Sequence, residues 1–85
     1  MDAQTGRAME ALGKRIREIR ERLGWSAEKL AADADISWHA VYAYERGKRE
    51  PKAMALLHLA RSLGVTVDSL LDGIEAAPPK KKRSA

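Results

Sequence analysis

The side chains with the clearest chemical capacity in this 85-residue sequence are cations grouped in two places. In the first group, residues 46–52 carry four cations and one acid, for a charge of +3. The second group is the run 80–83, Lys-Lys-Lys-Arg, which accounts for the whole net charge of +4 because residues 1–79 hold 12 basic and 12 acidic residues. The positions of these clusters are the first indication of where a partner binds.

Groups suited to catalysis or metal binding are sparse. The sequence has no cysteine, which excludes disulfides and cysteine-containing zinc sites. Asp35 lies four residues before His39, but two ligands make a weak metal site, and His58 is expected on the surface. No nucleophile–base pair, carboxylate dyad or phosphate-binding loop is recognisable. We therefore expect a binding protein and not an enzyme, with no metal or other cofactor.

Composition indicates one small globular domain, with 33% charged and 45% apolar residues. No apolar run approaches the roughly 18 residues of a membrane span, and the first residues lack the apolar core of a secretion signal. The expected location is cytoplasmic, without membrane association.

Apolar spacing predicts five short helices and no strand. The residues Leu12, Ile16, Ile19 and Leu23 recur at intervals of four, three and four, which indicates one face of a helix over 10–23. Further helices are predicted at 27–34 and 38–46, from Pro51 to Leu63, and after Thr66. The predicted organisation is a flexible arm over 1–9, a helical domain over 10–74 and a disordered basic tail over 75–85.

Turn and cap residues sharpen this prediction. Ser26, Ser37 and Thr66 each precede a predicted helix and can accept a hydrogen bond from a free backbone N–H. The helices at 27–34 and 38–46 are separated by about three residues, of which Asp35 can adopt a left-handed conformation. This is the outline of a helix-turn-helix.

Several segments in register resemble the Cro and phage-repressor-like helix-turn-helix family. They are Leu12-Gly13-Lys14-Arg15-Ile16-Arg17, Leu23-Gly24, Leu30-Ala31, Ile36-Ser37, Tyr44-Glu45-Arg46-Gly47-Lys48-Arg49 with Pro51, and Leu63-Gly64-Val65. The resemblance covers roughly 11–73 and implies a five-helix, lambda-repressor-like DNA-binding domain of the kind found in bacterial and phage transcriptional regulators. It implies that the second helix braces the DNA backbone and that helix 38–46 enters the major groove, which is about 12 Å wide and admits one helix.

The resemblance also implies roles for individual residues. The expected base-reading set is Ser37, Trp38, His39, Tyr42 and Ala43. The expected phosphate-binding set is Ser26, Ala27, Arg46, Lys48, Arg49 and Lys52. The resemblance further implies a buried ion pair between Arg20 and Glu45, which would fix the recognition helix to the first helix.

The sequence departs from the family pattern where bases would be read. Ala27 stands where glutamine is common, and residues 37–43 contain no Gln, Asn or Arg. His39 and Tyr42 can hydrogen-bond to bases, and Trp38 can meet a thymine methyl group. Direct readout is therefore expected to be modest, with more of the specificity carried by DNA shape. Packing on a neighbouring surface is the alternative for Trp38, whereas Trp25 and Tyr44 are expected in the core.

The expected partner is double-stranded DNA, bound by a homodimer acting as a repressor on a two-fold operator. The expected dimer interface is formed by Val65, Val67, Leu70, Leu71 and Ile74. The alternative is an antitoxin-like module that binds a second protein and whose DNA binding is autoregulatory or vestigial. The tail 80–83 is interpreted as an arm adding nonspecific phosphate affinity, with a nuclear import signal or a solubilising tail as alternatives.

Overall fold

A computed structural model of the chain describes residues 3–74, apart from the side chain of Gln4. It consists of the helices α1 (Ala3–Arg22), α2 (Ala27–Ala34), α3 (Trp38–Glu45), α4 (Ala53–Leu63) and α5 (Val67–Leu71), without strands in this range. The predicted five-helix, all-α class is confirmed. Within 3–74, no helix is both long enough and apolar enough to cross a membrane.

Three of the helices begin at the predicted caps. The Ser26 hydroxyl oxygen accepts a hydrogen bond from the Lys29 N–H at 3.0 Å, and that of Ser37 accepts one from Ala40 at 3.1 Å. Thr66 does the same for Ser69 at 3.0 Å. Each cap satisfies a backbone donor that the helix itself leaves unpaired, typically worth about 1 kcal/mol.

The turn between α2 and α3 forms at Asp35, which has φ 60° and ψ 46°. The Ile36 N–H donates to the Ala31 carbonyl at 2.9 Å, which closes the end of α2. An aspartate tolerates this left-handed conformation better than most side chains, as the sequence prediction required. The turn places the start of α3 directly after the end of α2.

The core lies between α1, α2 and α4, with the inner faces of α3 and α5 closing it. Its fully buried side chains are Ile16, Leu30, Val41, Leu59 and Leu70. α3 packs mainly against α1 and α2, and α5 packs against α1 and α4. One face of α3 is therefore used internally and the other is left outside.

Gly13 allows a close approach between α1 and the end of α3. A Cβ atom at this position would overlap the Tyr44 carbonyl oxygen and lie 2.7 Å from that of Glu45. Because no side chain fits, a glycine is required here despite its cost inside a helix.

Arg15 joins α1 to α5. Its Nη1 donates to the carbonyl oxygens of Ser69 at 3.0 Å, Leu70 at 3.2 Å and Asp72 at 2.6 Å. A cation at this position both satisfies unpaired carbonyls and complements the negative end of the helix dipole. The C-terminal end of α5 is thereby fixed to the first helix.

The structure corrects four helix boundaries and one inward-facing residue. α1 begins at Ala3 and not at residue 10, because Met9 is buried and extends the packed face of the helix by a further turn. α3 ends at Glu45, one residue earlier than predicted. α4 begins at Ala53 and not at Pro51, which lies before the first helical turn. Leu23 follows the last residue of α1 and is 46% exposed, so it does not belong to the core. The predicted tail 75–85 lies outside the described residues.

Candidate nucleic-acid interface

The exposed and buried residues of α3 fall on opposite faces. Ala40, Val41 and Tyr44 are buried, whereas Trp38 is 45% exposed and His39 is also exposed. The half-buried residues Tyr42 and Ala43 lie between these extremes. α3 is therefore held by one face and presents the other to its surroundings.

Three aromatic rings cluster on the outer face of α3. The Trp38 and His39 rings stack with centroids 3.9 Å apart and planes inclined by 25°. The Tyr42 ring meets Trp38 edge-on, with centroids 5.4 Å apart and planes at 83°. Such contacts stabilise aromatic pairs beyond their buried area, so the rings form one surface.

Cations border this aromatic surface. The Arg46 guanidinium lies 5.3 Å from the Tyr42 ring centroid, in a cation–π contact. An open hollow of about 400 Å³ is lined by Trp38, His39, Tyr42, Ala43, Arg46 and Lys48. The structure thus brings together four of the predicted base-reading residues and two of the predicted phosphate-binding residues in one depression.

The segment after α3 carries the remaining predicted cations. Arg46, Lys48, Arg49 and Lys52 are all exposed, and the Lys48 N–H donates to the Ala43 carbonyl at 2.9 Å. Pro51 is buried in the middle of this segment and anchors it to the body of the domain. Of these cations, Arg46 and Lys48 line the hollow beside the outer face of α3, and within residues 3–74 none of the four forms an ion pair.

At the N-terminus of α2, the two predicted phosphate contacts differ in exposure. Ser26 is exposed, although its hydroxyl oxygen already caps the helix. The Ala27 side chain is only 4% exposed and packs into the core. Ala27 therefore offers a phosphate its backbone N–H, which is among the first N–H groups of the helix that lack intrahelical partners.

Arg20 and Glu45 form the ion pair that the family resemblance implied. Arg20 Nε lies 2.7 Å from Glu45 Oε2, and Nη2 lies 3.0 Å from Oε1, a bidentate arrangement. Arg20 Nη1 also donates to the Trp25 carbonyl at 2.8 Å. The hydrogen bond to Glu45 raises the pKa of Arg20 above its ordinary value, so the pair remains charged on the arginine side. It connects the end of α3 to α1 and to the segment that leads into α2.

Comparison with known proteins identifies the family to which this fold belongs. A family model described as a helix-turn-helix domain matches residues 11–72. The chain belongs to this family. As a helix-turn-helix domain it is similar to the HTH-type transcriptional regulator DdrOP3 of Deinococcus deserti, at 38% identity over 64 residues, which make up 75% of this chain and 50% of that protein. This chain thus spans half the length of that relative.

Solved structures resemble the helix-turn-helix domain closely. The restriction-modification controller protein C.AhdI from Aeromonas hydrophila has 32% identity and a TM-score of 0.71, with 73% of this chain and 94% of that chain covered. The DNA-binding domain of the P22 C2 repressor has 32% identity and a TM-score of 0.70, covering 75% of this chain and 86% of that chain. The predicted membership of the Cro and phage-repressor-like family is confirmed.

The predicted dimer residues of this helix-turn-helix domain divide into internal and external groups. Leu70 is completely buried, so its expected place in a subunit interface is wrong: α1 and α4 already cover it. Val65, Val67 and Ile74 are partly buried against the core, and Leu71 is 39% exposed. The apolar surface that these five residues leave exposed for a partner subunit is therefore smaller than their number in the sequence suggests.

Three residues whose contacts stabilise the domain received no individual role from the sequence. Gly13 and Arg15 act through close packing and helix capping, as described above. Lys29 lies in the first turn of α2, with its ammonium nitrogen 5.1 Å from the Trp25 ring centroid. A glycine within a regular helical pattern is a recognisable signal for close packing, whereas a single lysine or arginine on a charged helix gives none.

Proposed function

We propose that this protein is a DNA-binding transcriptional regulator that inserts α3 into the major groove of double-stranded DNA. The observation that carries the proposal is the outward face of α3, where the exposed Trp38 and His39 lie beside exposed cations. Side chains near the start of a groove-bound helix reach base edges, and the neighbouring cations attract phosphates. The similarity to DdrOP3, a transcriptional regulator, and to the DNA-binding domain of the P22 C2 repressor supports a role in transcriptional regulation.

The protein acts as a homodimer on a two-fold operator, and it represses by occupying sites that polymerase needs. A single domain of this size covers little DNA, and a second copy doubles the contacts. Ser37, Trp38, His39, Tyr42 and Ala43 are the proposed base-facing residues. Ser26, the Ala27 N–H, Arg46, Lys48, Arg49 and Lys52 are the proposed phosphate contacts.

The salt dependence of DNA binding tests this proposal. If each subunit neutralises about four phosphates, the logarithm of the binding constant falls with the logarithm of salt concentration at a slope near −7. Fluorescence anisotropy with labelled duplex, between about 50 and 200 mM salt, measures this slope.

A matched pair of double variants locates the contacts. In Lys48→Gln/Arg49→Gln, two phosphates are lost per subunit, and the slope should fall to about −3.5. In Lys14→Gln/Arg61→Gln, which removes the same charge from the exposed sides of α1 and α4, the slope should stay near that of the parent. Equal slopes in the two double variants would contradict the assigned phosphate contacts.

A second candidate is an antitoxin-like module that binds another protein. The observation that favours it is the apolar character of the outer α3 face, where Trp38 is 45% exposed and no Gln, Asn or Arg lies within 37–43. The same titration separates the two candidates. Absence of duplex binding at about 50 mM salt supports the protein-binding module, since nonspecific electrostatic binding is strongest at low salt.

A further inference from the structure

We infer that the aromatic surface of α3 recognises the C5-methyl group of pyrimidines in the major groove, the group that thymine and 5-methylcytosine share. The inference rests on the proposed DNA binding and specifies what α3 reads. It is carried by the composition of the outer α3 face, by the hollow that its rings border and by the placement of cations around that hollow.

The outer face of α3 lacks the side chains that usually read bases. Residues 37–43 contain no charged or amide side chain, the groups that make bidentate hydrogen bonds to base edges. The Ser37 hydroxyl oxygen accepts the capping hydrogen bond from Ala40, which uses part of its bonding capacity. Apart from the His39 nitrogens and the Tyr42 hydroxyl, the outer face of α3 is carbon surface, and the methyl group at C5 is the apolar feature that a pyrimidine presents in the major groove.

The three rings of the outer α3 face form one side of a hollow that is large enough for a methyl group. Trp38 stacks on His39 and meets the edge of Tyr42, so the three rings make a continuous wall. This wall borders the hollow of about 400 Å³, which Ala43 also lines. A methyl group placed in the hollow would contact carbon atoms on more than one side, which is the condition for a useful apolar contact.

Cations lie around the hollow. Arg46 and Lys48 line it, and Arg46 is held against the Tyr42 ring. In duplex DNA the phosphates flank the groove in which the methyl groups lie. An apolar hollow bordered by cations matches that distribution, whereas a purely apolar patch would suit an uncharged protein surface.

Methyl-group removal on a selected duplex tests the inference. Duplexes retained by the full chain from a random-sequence pool supply the probe. Each thymine is then replaced singly by uracil, which removes only the methyl group, and each cytosine singly by 5-methylcytosine, which adds one. We expect about fourfold weaker binding for each contacted thymine methyl that is removed, or about fourfold tighter binding for each contacted cytosine methyl that is added. The uracil and methylcytosine arms show which base is the source.

Variants of Trp38 connect the effect to the aromatic surface. In Trp38→Ala the difference between thymine and uracil should disappear, and in Trp38→Phe most of it should remain. Leu23→Ala is the matched control, because Leu23 is exposed to the same extent as Trp38 (46% against 45%) but lies outside α3. This control should preserve the full difference. Circular dichroism of each variant verifies that the helices are intact.

The outcomes separate this inference from the proposed function. Failure of any pool duplex to be retained at about 50 mM salt overturns both. Retention of duplexes whose affinity changes less than about 1.5-fold with every methyl removed or added leaves the proposed function intact and overturns the methyl readout, since a contacted methyl is worth about fourfold. A thymine–uracil difference that persists in Trp38→Ala also overturns it.

Discussion

At the scale of single residues, the position of the proposed recognition helix depends on the Arg20–Glu45 pair. Its side chains are 11% and 5% exposed, and two hydrogen bonds link them. The charge of each group is tolerated in this location because the other is present. Arg17 and Glu21 form a contrasting pair at 3.2 Å, with side chains 60% and 55% exposed.

Glu45→Ala should lower the free energy of unfolding by about 3 kcal/mol, because it leaves a buried guanidinium without its carboxylate. For a domain of this size that corresponds to a fall in Tm of more than about 10 °C. Thermal and urea unfolding, followed by circular dichroism, measure the change.

Glu21→Ala is the matched control, since it breaks an exposed pair and should cost less than about 1 kcal/mol. If Glu45→Ala were as mild as Glu21→Ala, the buried pair would not be what holds α3 in place.

At the scale of helices, replacing two glycines of α1 by alanine is expected to change the stability of the protein in opposite directions. Gly13→Ala should destabilise the protein by about 1–3 kcal/mol, because the new methyl group collides with the carbonyls of Tyr44 and Glu45 and separates α1 from α3. Gly6→Ala meets nothing within 4 Å and should stabilise the helix by up to about 1 kcal/mol. Urea unfolding of both variants tests the difference, and a shared sign would contradict the packing at Gly13.

The Arg15 contacts predict a local effect on α5. Arg15→Met keeps the length of the side chain but removes three hydrogen bonds to carbonyls, so amide hydrogen exchange near residues 70–74 should become roughly tenfold faster. Lys14→Met, at an exposed neighbouring position, should leave exchange there unchanged. Equal acceleration throughout the domain in Arg15→Met would indicate a global role instead of a cap.

Sequence patterns were sufficient for the helices whose limits are set locally. The boundaries 27–34 of α2 and the caps at Ser26, Ser37 and Thr66 follow from the hydrogen-bonding capacity of single side chains. The predicted start of α1 was wrong because the burial of Met9 depends on residues distant in sequence. Periodicity alone also placed Leu23 inside, since it does not reveal that α1 ends one residue earlier.

The candidate site was predictable only in part, for a related reason. The outward direction of Trp38 and His39 follows from their position at the start of α3, together with the family resemblance. The stacking of the rings and the hollow beside Arg46 depend on side-chain conformations that spacing does not specify. Apolar character likewise gave no means of separating the internal Leu70 from the external Leu71.

At the scale of the whole molecule, an apolar cleft lies beside the C-terminal end of α5. It is lined by Thr5, Ala8, Met9, Leu12, Glu50, Leu71 and Ile74. Its volume is about 420 Å³, and it joins the start of α1 to the residues after α5. Among the residues proposed for dimer formation, Leu71 is the one that combines large exposure with a place in this cleft.

Leu71→Asp should therefore weaken the proposed dimer with little effect on the fold, because it puts a charge on a surface that association would bury. Sedimentation equilibrium should show monomers at concentrations where the parent chain is dimeric. Since a lone subunit neutralises about half as many phosphates, the salt slope for duplex binding should fall from near −7 to about −3.5. Asp68→Asn, a change at an exposed α5 position of similar size, serves as the control and should keep both the dimer and the slope. Leu71→Asp that remains dimeric would assign the subunit contact to another surface, and a monomeric variant with an unchanged slope would mean that the two subunits do not bind one duplex together.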